Sequence, residues 1–418
     1  MTARSPRPLA IALAGLVALA VAMGIGRFAF TPLLPLMLAE GAVDLAGASL
    51  LASANYFGYL VGALACTFQP WIWRRLGWAS TVNGPALVRG GLVATALLTL
   101  GMALHLPWAW TLLRFAAGVA SAVVFLYTTG FCLERLARHG VPAMGALIYV
   151  GPGAGIVASG LAATALVQMH AHAALGWLTF GVIAALLTAS VWQVFDARAG
   201  LPPPVAGAGT AADAPAAQGG AGALTLLTVA YGLAGIGYII TATFLPVIAR
   251  QALPGSPWLD LFWPLFGVGV MAGAIAASRL PAGGDLRLRL AACYAIQAVG
   301  VAASLVSPTL AGFALGSLLL GLPFTAITFF AMQEVRRVRP LHATSTMGLL
   351  TAAYGLGQIV GPPLAAWLVA RSASAAAGFD ASLWIATALL VLGAALYVAL
   401  ARLQPIGSPP AAMLPRRG

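Results

Sequence analysis

The sequence predicts an all-α membrane protein with twelve transmembrane helices, arranged as two six-helix halves related by pseudo-symmetry. Hydrophobic residues make up 61% of the 418 residues and charged residues only 7%, and the mean hydropathy is +0.96. A soluble domain of this length does not have such a composition. The string Gly24-Ile25-Gly26-Arg27, followed by Leu34-Pro35, returns as Gly235-Ile236-Gly237-Tyr238, followed by Leu245-Pro246 at the same spacing. A parallel repeat of this kind is typical of membrane proteins with a ligand site between two halves.

Charged and proline-rich breaks divide the chain into twelve apolar segments, each long enough to cross a bilayer with some tilt. The segments are 9–38, 46–70, 82–104, 108–132, 142–168, 173–195, 222–249, 257–279, 286–306, 308–334, 343–371 and 379–402. The stretch 197–221 is rich in Pro, Ala and Gly, which predicts a flexible cytoplasmic linker. We therefore expect an N-terminal six-helix half over 1–196 and a C-terminal half over 222–418.

The arginines predict the orientation in the membrane. All 21 basic residues are arginine, and with a cytoplasmic N-terminus sixteen of the 21 lie in inside segments, while only Arg250 and Arg371 lie outside. This bias predicts a multi-pass protein of a bacterial-type inner membrane with both termini cytoplasmic. Arg4 and Arg7, before the apolar run from Leu9, also resemble the start of a signal peptide. The repeat of segment 1 in segment 7 favours retention of that segment.

Several function classes are excluded by what the sequence lacks. Without lysine, the run Gly151–Gly155 cannot be a nucleotide-binding P-loop, and Schiff-base catalysis is impossible. No nucleophile with a neighbouring base and no metal-ligand cluster stands out, since His170 and His172 have no third ligand nearby. The basic residues are scattered without interleaved aromatics, unlike a nucleic-acid surface. We expect a protein that is not an enzyme, with no cofactor, no metal and no nucleic-acid partner.

Three motifs resemble those of the major facilitator superfamily of secondary transporters, and the resemblance covers the whole chain. Arg114 with Gly118 and Ala122 is similar to the family's R-x-x-x-G motif, and Gly145 with Gly151–Gly155 to its segment-5 G-P motif. The string from Gly24 to Pro35 closely resembles the YbfB/YjiJ-like branch. The resemblance implies alternating access between two rocking halves, and the segment-5 motif is associated in the family with antiport and with the hinge.

The loop after segment 2 departs from the family pattern. Family members commonly carry G-x-x-x-D-R-x-G-R-R there, an acidic and basic cluster at the inward gate, whereas this chain has Trp73-Arg74-Arg75-Leu76-Gly77 without the aspartate. We expect Arg74 and Arg75 to act in gating. Their partners would be anionic membrane lipids or the C-termini of helices.

Arg27 is the leading candidate for the substrate site. A buried arginine costs about 2.5–3.5 kcal/mol at the centre of a transmembrane helix, and no acidic residue lies mid-helix to neutralise it. The functional interpretation is a guanidinium that clamps a carboxylate or phosphate, and the alternative is a cation satisfied by helix-end carbonyls. For Arg114, contact with the cavity and structural pinning of helices are equally open.

Weaker candidates are polar residues at helical spacing inside the apolar segments, for which interhelical hydrogen bonding is the alternative. They are Asn55, Tyr59, Tyr238, Thr325, Thr328, Tyr354 and Gln358. A second set of glycines and prolines is predicted to serve helix packing and hinge bending. It consists of Gly24, Gly26, Pro32, Pro35, Gly151, Pro152, Gly153, Gly155, Gly361 and Pro362.

These residues together predict a monomeric, gradient-driven transporter that moves a small organic anion through a midplane cavity. Two buried arginines without a mid-helix carboxylate disfavour a cationic substrate, because like charges repel strongly at low dielectric. A coupling proton would be carried by Glu40, Asp44 or Glu334 near helix ends, or by the substrate's own carboxylate. The alternative is proton-coupled efflux of amphipathic or drug-like compounds, which the aromatic content and the G-P motif favour.

Overall fold

A computed structural model describes residues 7–77, 83–196, 221–256, 258–281, 283–339 and 343–405. This part of the chain folds into helices and contains no strand. The helices are α1 (Pro8–Ala39), α2 (Leu45–Arg75), α3 (Gly84–Gly101), α4 (Pro107–Arg138), α5 (Pro142–Gln168), α6 (Ala173–Val191), α7 (Ala221–Ala252), α8 (Leu259–Arg279), α9 (Leu286–Val306), α10 (Leu310–Val338), α11 (Ala343–Arg371) and α12 (Ala375–Leu403). The predicted linker at 197–221 lies outside the described residues except for its last position.

The twelve-helix prediction is confirmed, with helix ends close to those read from the sequence. Eleven of the helices in the described part are long and apolar enough to cross a membrane. The twelfth, α11, has 29 residues, about 43 Å at 1.5 Å per residue. Its interior carries Tyr354, Gln358, Pro362 and Pro363, which make it less apolar than the others.

Helix α1 is interrupted near its middle. Residues Ala20–Ile25 form a π-helical turn, in which Gly26 N donates to Val21 O at 2.9 Å, and regular helix resumes only at Phe30. Glycine lowers the cost of irregular backbone, and Pro32 has no N–H with which to continue the helical bonds. The interruption places Arg27 in a non-helical turn, with backbone carbonyls free to accept other donors.

Close helix crossings occur at corresponding places in the two halves. A Cβ added at Gly24 of α1 would overlap the backbone of Gly155 in α5. In the second half, a Cβ at Gly235 of α7 would overlap the carbonyl of Tyr354 in α11, and one at Gly357 would meet the backbone of Gly235. The sequence repeat is therefore matched by a repeated helix crossing.

The halves meet along three helix pairs. α2 packs against α11, α5 packs against α8, and the part of α1 beyond its turn packs against α7. Gly153 of α5 lies at the second pair, where a Cβ would press on Met271 and on the carbonyl of Gly267. We call the membrane face at which α1 begins and α12 ends the arginine-rich face, and the other the opposite face. The first carries Arg74, Arg75, Arg138, Arg279, Arg287, Arg336, Arg337 and Arg402, and the second Arg250 and Arg371.

Candidate functional site

Arg27 lies at the junction of the two halves. Its side chain is buried, with 3% of the residue exposed, and its Nη2 donates to Gln358 Oε1 of α11 at 2.7 Å. The guanidinium carbon lies 4.1 Å from the centre of the Tyr59 ring, a cation–π geometry. Arg27 forms no ion pair with any described residue. The centre of the protein therefore holds a charge whose side-chain partners are neutral.

Gln358 connects Arg27 to its own repeat partner. The carboxamide accepts from Arg27 through Oε1 and donates through Nε2 to Tyr238 Oη. Arg27 and Tyr238 occupy equivalent places in the repeat, in α1 and α7, so both halves converge on one side chain. Sequence analysis selected all three residues, and the structure brings them into a single hydrogen-bonded chain.

Aromatic rings form a continuous cluster beside this chain. Tyr354 stacks between Tyr231 and Tyr238, with ring centres 4.9 and 5.8 Å apart. Tyr238 meets the edge of Phe324 at 5.2 Å, and Phe324 meets Phe28 at 5.9 Å. Phe28, Tyr231 and Phe324 were not singled out from the sequence, because an aromatic residue in an apolar helix is ordinary core by default. The position of Phe28 next to Arg27 was the one available signal.

Arg114 contacts the backbone that carries Arg27. It donates to Gly26 O at 3.2 Å and to Arg27 O at 3.0 Å, and Asn55 Nδ2 donates to Arg114 O at 2.9 Å. Both side chains are fully buried or nearly so. The interrupted turn of α1 supplies carbonyls that accept from both terminal nitrogens of Arg114, while its buried Nε has no partner among the described residues. Contacts with helix carbonyls are the geometry of the structural alternative for this residue.

The two threonines of α10 differ in their contacts, and only Thr328 is bonded to the aromatic cluster. Tyr231 Oη donates to Thr328 Oγ1 at 3.2 Å. Thr325 Oγ1 and Arg27 Nε are buried and have no hydrogen-bond partner among the described residues. The site thus contains an unused donor on the central arginine and an unused hydroxyl on α10.

Three hydrogen bonds from hydroxyls of the N-terminal half to backbone carbonyls of the C-terminal half lie between this site and the opposite face. A fourth contact joins the halves in the same region, where Tyr56 Oη and Thr243 Oγ1 lie 3.0 Å apart. The three carbonyl bonds run from Thr31 Oγ1 to Ala242 O (3.0 Å), from Ser53 Oγ to Ile359 O (2.8 Å) and from Thr164 Oγ1 to Asp260 O (3.3 Å). The Thr164 hydroxyl shares its proton with Gly160 O of its own helix, at 3.0 Å. Each accepting carbonyl of the C-terminal half lies four residues before a proline, and a proline has no N–H for its i−4 carbonyl. The prolines are Pro246, Pro363 and Pro264. Hydroxyls of one half therefore satisfy carbonyls that prolines leave free in the other, and we call these three bonds the hydroxyl closure.

A buried ion cluster lies at the arginine-rich face of the C-terminal half. Arg287 binds both oxygens of Asp285, at 2.8 and 2.7 Å, and donates to the end of α12 at Leu400 O and Gln404 O. Glu334 is 1% exposed and binds Arg337, with Arg287 at 3.8 Å. Burial raises the pKa of Asp285, but the hydrogen bonds and charge of Arg287 outweigh it and hold that pKa below its usual range.

The corresponding face of the N-terminal half buries one arginine, Arg135, which donates to Asp196 O at 3.4 Å, but its carboxylate is exposed. Arg74 and Arg75 are exposed and form no ion pair with a described residue, and Arg75 lies 5.5 Å from the ring centre of Trp71. Glu134 lies four residues before the end of α4, as Glu334 does in α10, and its side chain is 57% exposed and pairs with Arg138. Gating by Arg74 and Arg75 stays a prediction.

The comparisons with known proteins agree with one another on the fold. Residues 19–398 match the family described as uncharacterised MFS-type transporter YbfB. The nucleoside transporter NupG is 14% identical, with a TM-score of 0.67 over 93% of this chain and 99% of its own. The human organic anion transporter MFSD10 (TETRAN) is 16% identical, with a TM-score of 0.60 over 94% of this chain and 100% of its own.

A third solved structure has the same fold. It is a bacterial homologue of the human lysosomal transporter Spinster, in an inward-facing and occupied conformation, 14% identical with a TM-score of 0.62 over 94% of this chain and 96% of its own. No curated protein sequence matches this chain.

Proposed function

Since the chain belongs to the YbfB family of MFS-type transporters, we propose that it is a secondary active transporter for a small organic anion in a bacterial-type inner membrane. The observation that carries the proposal is the Arg27 guanidinium, which is buried at the junction of the halves and bound by neutral side chains alone. Alternating access would expose this site to each face in turn.

The electrostatic argument favours an anion over a cation or a neutral molecule. A charge at membrane depth costs about 2.5–3.5 kcal/mol on insertion scales, and a neutral carboxamide offsets less of it than a carboxylate would. An anionic substrate would complete an ion pair at Arg27, whereas a cation would add a second positive charge in a low-dielectric site.

The other site residues fall into two roles in this proposal. Tyr59, Tyr238, Tyr354, Thr325 and Thr328 line the substrate site together with Gln358. Arg114 and Asn55 hold the turn of α1 that positions Arg27. Arg114 donates to two carbonyls of that turn, and Asn55 donates to the carbonyl of Arg114. Movement of the halves would hinge at the glycine and proline positions predicted from the sequence, foremost the crossing of Gly24 with Gly155.

Orientation and coupling follow from the charges near the helix ends. The arginine-rich face is the cytoplasmic face in this proposal, the linker at 197–221 joins the halves there, and one chain is the working unit. A coupling proton would have to reside on Glu40, Asp44, Glu334 or the substrate. Glu334 is paired with Arg337 and Arg287 at the arginine-rich face, away from Arg27, whereas the substrate's own carboxylate would lie at Arg27 itself and is the candidate that this proposal prefers.

The aromatic cluster supports one other candidate function, the efflux of amphipathic or drug-like compounds. Five stacked or edge-on rings at the site, of Tyr231, Tyr354, Tyr238, Phe324 and Phe28, would suit an apolar body. A neutral compound would not need Arg27. Transport of neutral amphipathic compounds that survives the loss of Arg27 would therefore favour efflux over anion transport.

Substitution of Arg27 tests the proposal. Arg27→Ala should insert in the membrane and abolish transport and binding of a carboxylate identified by a thermal-shift screen. Arg27→Lys should restore little, because an ammonium keeps the charge but loses the two-point fork. Arg371→Ala is the matched control, as it removes an arginine at the opposite face that contacts only the Trp367 ring among the described contacts. Near-equal affinities in wild type and both Arg27 variants would refute the anion site.

A further inference from the structure

One edge of the Arg27 guanidinium is half used. Nη2 and Nε point their N–H groups along the same edge, which is the edge that binds the two oxygens of a carboxylate. Nη2 is bonded to the single oxygen of the Gln358 carboxamide, and Nε is buried with no partner among the described residues. A neutral acceptor with one oxygen thus stands where a two-oxygen anion would satisfy both donors.

We propose that this edge takes the carboxylate of a flat aromatic monocarboxylic acid, and that the carboxylate displaces Gln358 from Arg27. The inference rests on the proposed function, an organic-anion transporter, and specifies its substrate class and the residue with which the substrate competes. Gln358 keeps its bond to Tyr238 and so has a position to occupy after displacement.

The charge at the site limits the substrate to one negative charge. Arg114 is the other arginine near Arg27, and its two terminal nitrogens already donate to the carbonyls of Gly26 and Arg27, so only its Nε is without a partner among the described residues and it offers no edge with two free donors. No other arginine within the described residues contributes a hydrogen bond to the cluster of Gln358, Tyr238 and Tyr354. A second carboxylate on the substrate would be buried with no second two-donor edge to bind its oxygens and would cost binding energy.

The rings around the edge favour a flat aromatic body. The Tyr59 face lies under the guanidinium, and Tyr238 and Tyr354 are stacked at an interplanar angle of 20°. An aromatic ring can stack or meet edge-on with these faces, and such pairs stabilise beyond the area they bury. A saturated ring of the same size and charge has no π-face and therefore lacks this additional stabilisation.

Four compounds of similar size separate the elements of the inference when their binding to the full-length purified protein is measured. They are benzoate, benzamide, cyclohexanecarboxylate and isophthalate. Benzoate should bind at least about tenfold more tightly than benzamide, which lacks the charge, and about three- to tenfold more tightly than cyclohexanecarboxylate. Isophthalate, with two charges, should bind at least about tenfold more weakly than benzoate.

The failures of the two proposals are distinguishable in this panel. Measurable binding of benzoate and benzamide with equal affinity refutes the anion site itself. Three results would overturn the proposal of an aromatic monocarboxylate: cyclohexanecarboxylate binds as tightly as benzoate, isophthalate binds more tightly than benzoate, or benzoate does not bind at all. The anion site would then still be tested by the Arg27 variants.

Two substitutions of Gln358 test the displacement. Gln358→Glu places a carboxylate on the Arg27 edge within the chain, so it should raise the melting temperature of the empty protein and abolish the shift caused by benzoate. Gln358→Met has a similar size but no acceptor of comparable strength, so benzoate affinity should equal or exceed that of wild type. Gln358→Ala makes the same measurement if the methionine variant does not fold.

The opposite results overturn displacement. If Gln358→Met and Gln358→Ala weaken benzoate as much as Arg27→Ala does, Gln358 binds the substrate and does not compete with it. If Gln358→Glu binds benzoate with wild-type affinity, the substrate carboxylate does not use the edge of Arg27 that Gln358 occupies.

Discussion

The two halves share one arrangement of helices but differ in the polar groups that they place at each membrane face. In the hydroxyl closure, the N-terminal half supplies all three donors and the C-terminal half all three carbonyls. At the arginine-rich face, the C-terminal half buries Arg287 and Glu334 beside the half-buried Asp285, whereas the N-terminal half leaves Glu134 exposed to water and its partner Arg138 half-exposed.

The two sets of contacts differ in the free energy that is needed to break them. The hydroxyl closure contains no charge, and each neutral bond contributes about 0.5–1.5 kcal/mol, so three bonds hold the halves by a few kcal/mol. A ligand that shifts a two-state equilibrium from 1:99 to 99:1 must supply about 5.5 kcal/mol. The closure therefore lies within the range that substrate binding can reverse, while the buried ion cluster should persist in every state.

Two arginines at equivalent junctions give the largest expected contrast between the halves. Arg287 at the start of α9 holds the end of α12, and Arg89 in α3 holds the end of α6 through Trp192 O at 3.0 and 2.7 Å. Arg287→Met should lower stability by about 3–5 kcal/mol, since it leaves the buried Glu334 with one partner fewer. Arg89→Met should cost about 1 kcal/mol, because Arg89 is partly exposed and its loss buries no charge.

The melting temperatures of the two variants and of wild type, measured in the same detergent, test this contrast. The controls are Arg371→Met, which removes an exposed arginine far from both junctions, and a check that each variant elutes as wild type. Equal losses for Arg287→Met and Arg89→Met would show that the buried cluster is no more stabilising than the exposed junction.

The helix crossings should behave alike in the two halves. Gly24→Ala and Gly235→Ala each place a methyl group against backbone of the neighbouring helix, and overpacking of this kind costs about 1–3 kcal/mol. Gly130→Ala in α4 is the matched control, because a Cβ there meets no atom within 4 Å and alanine favours the helix by up to about 1 kcal/mol. If only Gly24→Ala lowers the melting temperature, the two helix crossings do not contribute equally to stability.

The fold was predictable because its signals are local. Apolar segments between arginines gave the helices, and the repeat gave the halves. The interruption of α1 was not predictable, since a π-helical turn at Ala20–Ile25 depends on how α1 crosses α5 at Gly155. The role of Arg114 stayed open for the same reason: its acceptors, the carbonyls of Gly26 and Arg27, exist only where the helix is interrupted.

The site was predictable in part. Arg27, Tyr238 and Gln358 stood out as polar residues in apolar helices, and the structure joins them. The donors Thr31, Ser53 and Thr164 did not stand out, because hydroxyls in membrane helices usually bond within their own helix. A signal was present in the prolines of the other half, but only the three-dimensional pairing shows which hydroxyl meets which freed carbonyl.

The smallest expected effect concerns a single bond of the hydroxyl closure and tests why it exists. Ser53→Ala should weaken the closure by about 1 kcal/mol, since the carbonyl of Ile359 loses its donor and Pro363 cannot replace it. In a Pro363→Ala background, the new backbone N–H at position 363 can bond that carbonyl, so the same Ser53→Ala change should cost less. The interaction energy of this double-mutant cycle, about 0.5–1 kcal/mol, measures how much the contribution of Ser53 depends on Pro363.

Spin labels at the exposed His105 and Gln251 on the opposite face report the fraction of molecules in the closed state for each variant. Thr179→Ala, which removes a hydroxyl bonded within its own helix at Leu175 O, should leave that fraction unchanged. If Ser53→Ala costs the same with and without Pro363, the serine does not serve the carbonyl that the proline frees, and the contrast between donating and accepting halves loses its physical cause.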